Sequence, residues 1–217
     1  MKKVFVIIIS IIIFGCSNDE TPVDNLPYFQ FTEEDNQKLI NPGEVGDILL
    51  FKNQDNAELK FEITKIFLKK QLHADGGMLY TSTKYFYFDE QRVEMQSTLF
   101  TTDTPLFISL KRWPVRFEVG DNGHPEILSE NSEFTAAIEL SPFNNGIYTA
   151  FIDYSEPMEN LVINGMTYTG VRKIEIEPNE YPNPNWQLPT LRYIYFDQNK
   201  GLIGFDDVDN NKWRLQN

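Results

Sequence analysis

The stretch Leu59-Lys60-Phe61-Glu62-Ile63-Thr64 (residues 59–64) alternates apolar and polar side chains without a break. Successive side chains of a β-strand point to opposite faces of a sheet, so a period of two predicts a strand with one buried and one solvated face. The same alternation recurs from Phe134 to Leu140. Turn-forming residues separate such runs along the chain, and the pattern therefore predicts an all-β fold.

Outward from this stretch, about eleven short strands are expected between residue 46 and the end of the chain. The expected architecture is an antiparallel sandwich or a partly open barrel, because no amphipathic helix of ten or more residues separates the strands. The runs Tyr85–Phe88 and Val93–Leu99 are predicted to form a hairpin that turns at Asp89-Glu90-Gln91. Further strands are predicted over Ile147–Tyr154 and Met166–Glu177.

One short helix is predicted near the start of the β-rich region, over Glu33–Leu39. Thr32 offers an N-cap hydroxyl, acidic residues follow in the first turn, and Lys38 lies near the end. Asn41-Pro42-Gly43 is a stop signal. This is the only helix that the sequence predicts after the N-terminal segment.

The N-terminal segment has the order of an export signal. Met1-Lys2-Lys3 is cationic, Val4–Phe14 is an apolar run of 11 residues interrupted only by Ser10, and Gly15 precedes Cys16. A helix that crosses a bilayer needs about 20 apolar residues. Residues 1–15 are therefore predicted to be a signal peptide that is removed.

The segment Ile13-Phe14-Gly15-Cys16 resembles the lipobox of bacterial lipoproteins. This resemblance implies that the thiol of Cys16 receives a diacylglyceryl group and that cleavage occurs before Cys16. A plain secretory signal followed by an incidental cysteine is the alternative. At least two acyl chains would make release from the membrane negligible, because each buried methylene contributes about 0.8 kcal/mol.

Two further segments resemble Bacteroidota-type lipoproteins of unknown function. Ser17-Asn18-Asp19-Glu20 is similar to the acidic tract that directs such lipoproteins to the cell surface, and the periplasmic face of the outer membrane is the alternative location. Tyr193–Phe205, followed by a short segment with Trp213, looks like their closing hairpins, with an aromatic strand, a Lys-Gly turn and an aliphatic strand. The resemblance implies a cellular location and a fold, and it carries no catalytic residues.

The remaining chain divides into a lipidated flexible tether over residues 16–27 and a single β-rich domain over residues 28–217. Removing residues 1–15 discards two lysines and no acid, so the net charge falls from −13 to −15. This charge argues against a nucleic-acid partner, whose phosphates require a basic face. Cys16 is the only cysteine, so the domain has no internal disulfide.

One loop has the spacing of a calcium site. Asp207, Asp209 and Asn211 place oxygen ligands at alternate positions, as Ca²⁺ requires. The EF-hand pattern fails because Lys212 stands where that loop needs glycine. A polar hairpin turn is the alternative. Calcium binding would raise the melting temperature at millimolar Ca²⁺.

Loop aromatic residues are the other candidate site. Trp113, Trp186 and Tyr181 are placed in or near loops, where their rings could stack on sugars or fill a partner's pocket. Packing within the domain is the alternative. No cofactor is predicted, and His73 and His124 show no spacing typical of zinc or of a catalytic set.

These features together predict a lipid-anchored outer-membrane lipoprotein with a binding or structural role, held to the membrane by its anchor, with a glycan or an envelope protein as partner. A secreted hydrolase that cleaves glycans with two carboxylates is the alternative, because the chain is rich in acids. A third possibility is an assembly or maintenance factor for envelope complexes. The sequence leaves the oligomeric state open.

Overall fold

A computed structural model describes residues 26–75, 84–98, 105–115, 131–143, 149–177 and 188–216. Within them, the alternation at residues 59–64 forms a strand as predicted: Phe61 and Ile63 are fully buried, whereas Glu62 and Thr64 are exposed. The elements in chain order are β1 (Tyr28–Phe29), α1 (Glu33–Asn36), β2 (Ile48–Lys52), β3 (Glu58–Asp75), β4 (Lys84–Ser97), β5 (Leu106–Pro114), β6 (Ser132–Glu139), β7 (Thr149–Phe151), β8 (Glu159–Ile163), β9 (Met166–Glu175), β10 (Leu191–Asp197), β11 (Gly201–Asp207) and β12 (Lys212–Leu215).

The strands form one curled sheet in the shape of a half-barrel. The order across the sheet is β7-β6-β5-β4-β3-β2-β12-β11-β10-β9-β8, and every neighbouring pair on this path is antiparallel. The additional strand β1 pairs with β4 in parallel. The all-β prediction is confirmed, and the observed form is the partly open barrel rather than the sandwich.

The predicted hairpin around Asp89-Glu90-Gln91 is wrong. These residues lie inside β4, which continues from Lys84 to Ser97 and pairs with β3 along its whole length. Their polar groups are satisfied by distant partners: Glu90 accepts a hydrogen bond from Ser109 Oγ (2.7 Å), and Gln91 Nε2 donates to the carbonyl of Ile40 (2.7 Å). A polar triplet therefore stays in the strand because other elements supply its hydrogen bonds.

Helix α1 is present but shorter than predicted. It begins at Glu33 and ends at Asn36, and Thr32 and Asp35 cap each other reciprocally: the Asp35 N–H donates to Thr32 Oγ1 (3.1 Å) and the Thr32 N–H donates to Asp35 Oδ2 (2.8 Å). The helix does not reach Leu39, because the side chain of Gln91 binds both backbone groups of Ile40 and holds that residue in the core. A sheet contact thus ends the helix.

The main hydrophobic core fills the inside of the curl, where strands of both halves of the sheet contact one another. Phe205 of β11 lies at its centre, with its ring centroid 5.3 Å from Phe51, 5.3 Å from Phe143 and 5.8 Å from Trp213. Aromatic pairs at these separations stabilise a core beyond the area that they bury. The core therefore links β2, β11 and β12 with the turn after β6.

The second half of β3 has a neighbouring strand on one side only among the described residues. β2 pairs with Glu58–Glu62 of β3, whereas β4 pairs with the strand up to Asp75. Leu68 and Leu72 on this part are 57% and 52% exposed. We call residues 65–75 the open edge. A strand edge without a neighbouring strand is a template for another strand.

Candidate ligand-binding groove

The predicted calcium ligands lie in the turn between β11 and β12. Asp207 is buried, and its carboxylate accepts four hydrogen bonds from the turn itself: from the N–H groups of Asp209 and Asn211, from Asn211 Nδ2 and from Trp213 Nε1, at 2.8–3.1 Å. Asp209 is exposed. Within the described ranges, no three His, Cys, Asp or Glu side chains are grouped to hold a metal ion. The geometry favours the hydrogen-bonded hairpin turn.

Trp113 lies at the end of β5 in a second aromatic cluster, on the face of the sheet opposite the main core. Its ring is 5.1 Å from Phe86, 4.9 Å from Phe88 and 4.8 Å from His73, and Lys111 Nζ lies 4.2 Å from its centroid. Since neighbours surround the half-buried indole, packing is the role that its geometry favours. Trp186 and Tyr181 lie outside the described residues, as do Cys16 and His124. The roles expected for these residues stay predictions.

A groove of about 560 Å³ lies where the chain passes from β7, at one end of the sheet, to β8, at the other end. We call it the seam groove. It combines apolar side chains with four acids and two bases, and its lining consists of Phe151, Asp153, Glu156, Pro157, Met158, Glu159, Arg172, Lys173, Ile174 and Glu175. A concave site with a few placed polar groups is the usual form of a ligand pocket.

Arg172 of β9 is the buried polar residue of this groove, at 4% exposure. Its Nε donates to the carbonyl of Asp153 and its Nη2 to the carbonyl of Tyr154, both at 3.1 Å. The guanidinium also stacks on Tyr154, with Cζ 4.5 Å from the ring centroid. The third nitrogen, Nη1, is buried and has no hydrogen-bond partner. The charge is therefore only partly compensated by its neighbours.

Two groups beside Arg172 have shifted pKa values. Hydrogen bonds from the hydroxyl and N–H of Ser155, both 2.7 Å long, lower the pKa of Asp153, and the charge of Arg172 adds to this shift. Burial raises the pKa of Tyr154 to about 12, although Arg172 acts in the opposite direction. The groove therefore keeps a carboxylate ionised at its mouth and a neutral phenol beneath the guanidinium.

Replacing Tyr154→Phe is expected to remove one ionisation near pH 12 from the alkaline absorbance titration of the tyrosines. The pKa of Tyr154 is raised on folding from 10.0 to about 12, so the stability that the neutral phenol contributes is present below pH 10 and lost as the pH rises towards 12. The variant should therefore lose less stability over that interval than the wild type. Loss of an ionisation near pH 10 instead would contradict the assignment.

The seam groove was not predicted, although two of its strands were: β7 falls within predicted Ile147–Tyr154, and β9 within predicted Met166–Glu177. No strand was predicted at β8, which lines the groove with Glu159. One signal was available, because Arg172 occupies a position that alternates with Ile174 and Ile176. A charged residue in an inward-facing series indicates a buried polar site.

Comparisons with protein-family models, with curated proteins and with solved structures find no match. No helix in the described part of the chain is long and apolar enough to span a membrane.

Proposed function

We propose that this chain is a lipid-anchored outer-membrane protein whose β domain binds an extended segment of another envelope protein at the seam of its sheet, without catalysis. The observation that carries the proposal is the seam groove, which opens between the two end strands of a sheet that does not close. The anchor at Cys16 supplies the location in this proposal.

The end strands support binding of an extended chain. Among the described strands, β7 pairs only with β6 and β8 pairs only with β9. Each therefore has one row of backbone N–H and C=O groups without a neighbouring strand. A peptide can add to such an edge as a further strand, with affinity from main-chain hydrogen bonds and specificity from alternate side chains.

Exposed apolar side chains near the seam favour a protein segment over a sugar. In the lining of the seam groove, Phe151 is 71% exposed and Met158 51%, and Val162 on the end strand β8 is 65% exposed. Aliphatic and thioether groups adapt to the varied side chains of a peptide, whereas sugars are bound mainly by aromatic faces. Only one of these three residues, Phe151, has a ring.

The acids of the groove do not support the hydrolase alternative. A glycosidase needs a general acid with a raised pKa, which burial provides. The pKa of Asp153 is instead lowered, and Glu156 and Glu159 are exposed to solvent. The groove is accordingly better suited to binding than to protonating a leaving group.

Replacing Cys16→Ser is expected to abolish the membrane anchor, because the serine hydroxyl cannot form the thioether that the lipobox resemblance implies. The wild-type protein should fractionate with the outer membrane, and mass spectrometry should find the acyl chains on Cys16. Protease added to intact cells should digest the domain if it faces outward. An unmodified Cys16 in the mature protein would contradict this part of the proposal.

The binding role is tested with a photo-reactive amino acid at Val162, on the end strand β8, and at Val45 as a control. The two positions have similar exposure, 65% and 61%, so surface accessibility alone cannot separate them. In intact cells we expect a covalent adduct with one defined envelope protein from position 162 and none from position 45. Equal adducts from both positions, or none from well-folded anchored protein, would contradict the proposal. If the protein binds to a glycan array and Phe151→Ala abolishes that binding, the partner is a glycan and not a protein.

A further inference from the structure

We infer that Arg172 anchors a carboxylate-binding subsite of the seam groove, which takes a peptide carrying a carboxylate next to a basic side chain. The inference deepens the proposed function and rests on it for the peptide, whereas the carboxylate subsite rests on Arg172 alone.

The charge of Arg172 is only partly compensated within the protein. The partners of Arg172 Nε and Nη2 are neutral carbonyl oxygens, and Nη1 has none. Among the described residues, no carboxylate forms an ion pair with Arg172. An arginine remains protonated at any physiological pH, so burial cannot neutralise it by proton loss. A buried cation of this kind is stabilised by an anion.

Other arginines of the same sheet have such an anion within the protein. Arg112 Nη1 lies 3.2 Å from Asp35 Oδ2, and Arg214 Nη1 lies 2.7 Å from Asp206 Oδ1. Arg172 is as buried as these residues or more so, yet its hydrogen bonds go only to carbonyl groups, and the Asp153 carboxylate acts on it without forming an ion pair. The missing acceptor is therefore assigned to a ligand.

The guanidinium geometry specifies the anion. Nε and Nη2 form one edge of the planar group and are occupied by the two consecutive carbonyls. The other edge joins Nη1 and Nη2, and it matches the two oxygens of a carboxylate. Because Nη1 is buried, a carboxylate reaches it only if a neighbouring side chain moves. Met158 and Glu156 line the groove and are exposed.

The charges at the mouth of the groove indicate which second charge the ligand carries. Asp153, Glu156, Glu159 and Glu175 outnumber Lys173, so a ligand that is purely anionic is repelled on its way to Arg172. An ammonium or guanidinium beside the carboxylate reverses this repulsion. A peptide with a basic residue next to an acid or to its C-terminus carries both charges, whereas a uronate glycan carries only the first.

The probe is the N-terminally acetylated tripeptide Val-Lys-Val with a free C-terminal carboxylate, in which the lysine carries the only cation, titrated into the full-length protein in detergent micelles. Its C-terminal amide lacks the anion, and its acetyl-lysine form lacks the cation. We expect the free acid to bind about tenfold more tightly than the amide. Arg172→Met should reduce this ratio to about one, while Lys200→Met, which removes a charge from an exposed turn outside the groove, should leave it unchanged.

A second variant keeps the test decisive if Arg172→Met does not fold. Glu159 is exposed, and Glu159→Gln should weaken binding of the free acid while leaving binding of the acetyl-lysine form unaffected. Equal binding of acid and amide to the wild type would overturn the carboxylate subsite, even if cross-linking at Val162 succeeds. If digalacturonate binds in an Arg172-dependent way and no tripeptide binds, the carboxylate subsite is retained and the proposal of a peptide ligand is overturned.

Discussion

Replacing Phe205→Ala is expected to lower the free energy of unfolding by about 4 kcal/mol, the middle of the range for a buried phenylalanine. Phe205 is fully buried, and it contacts three aromatic rings from three separate parts of the chain. The cavity would lie where the two halves of the curled sheet meet. Urea unfolding followed by tryptophan fluorescence measures the loss, because Trp213 stacks on Phe205.

The matched control is Phe151→Ala, the same change at a phenylalanine that is 71% exposed. An exposed position away from special backbone features changes stability by about 0.5 kcal/mol or less. Similar losses for the two variants would contradict the assignment of Phe205 to the centre of the core.

Replacing Asp35→Ala is expected to cost about 3 kcal/mol. The Asp35 side chain is only 2% exposed, accepts hydrogen bonds from Arg112 Nη1 at 3.2 and 3.3 Å, and caps α1 through Thr32. Removal leaves a largely buried guanidinium without its anion, which costs about 3–5 kcal/mol. The lower end of this range applies because Arg112 retains about a fifth of its side-chain exposure. Thermal or urea unfolding measures the change.

Two controls separate the ion pair from the cap. Glu34→Ala removes an acid from the same turn, but its side chain is 78% exposed and its pair with Lys38 contributes about 0.5 kcal/mol or less. The double variant Asp35→Ala, Arg112→Met should recover part of the loss, because it no longer contains an unpaired cation. A double variant no more stable than Asp35→Ala would show that the cap alone accounts for the effect.

The sequence predicts strands well where one face is buried and the other is solvated, because burial then imposes a period of two. This holds for β6 and for the start of β3, where Phe61 and Ile63 are inward. It fails at Asp89-Glu90-Gln91, because the partner of Gln91 is Ile40, 51 residues away in the chain. Local composition indicates a turn there, and only the tertiary contacts keep the strand intact.

The candidate site could not be predicted from local sequence for the same reason. The carbonyls that hold Arg172 belong to Asp153 and Tyr154, 19 and 18 residues earlier, and they approach it only because the sheet curls. The turn at Asp207, in contrast, was recognisable as either a calcium loop or a hairpin, since its donors lie within six residues. Short-range contacts are readable in a sequence, and a groove between the ends of a sheet is not.

The open edge of β3 has a consequence for neighbouring copies of the protein. Copies tethered to one membrane, as proposed, diffuse in a plane and collide side by side far more often than in solution. Two open edges that approached each other would bring the cationic side chains of Lys69 and Lys70 together. Lysines on exposed strand edges discourage such pairing. Like-charge repulsion along β3 should therefore keep the tethered copies dispersed even at high surface density.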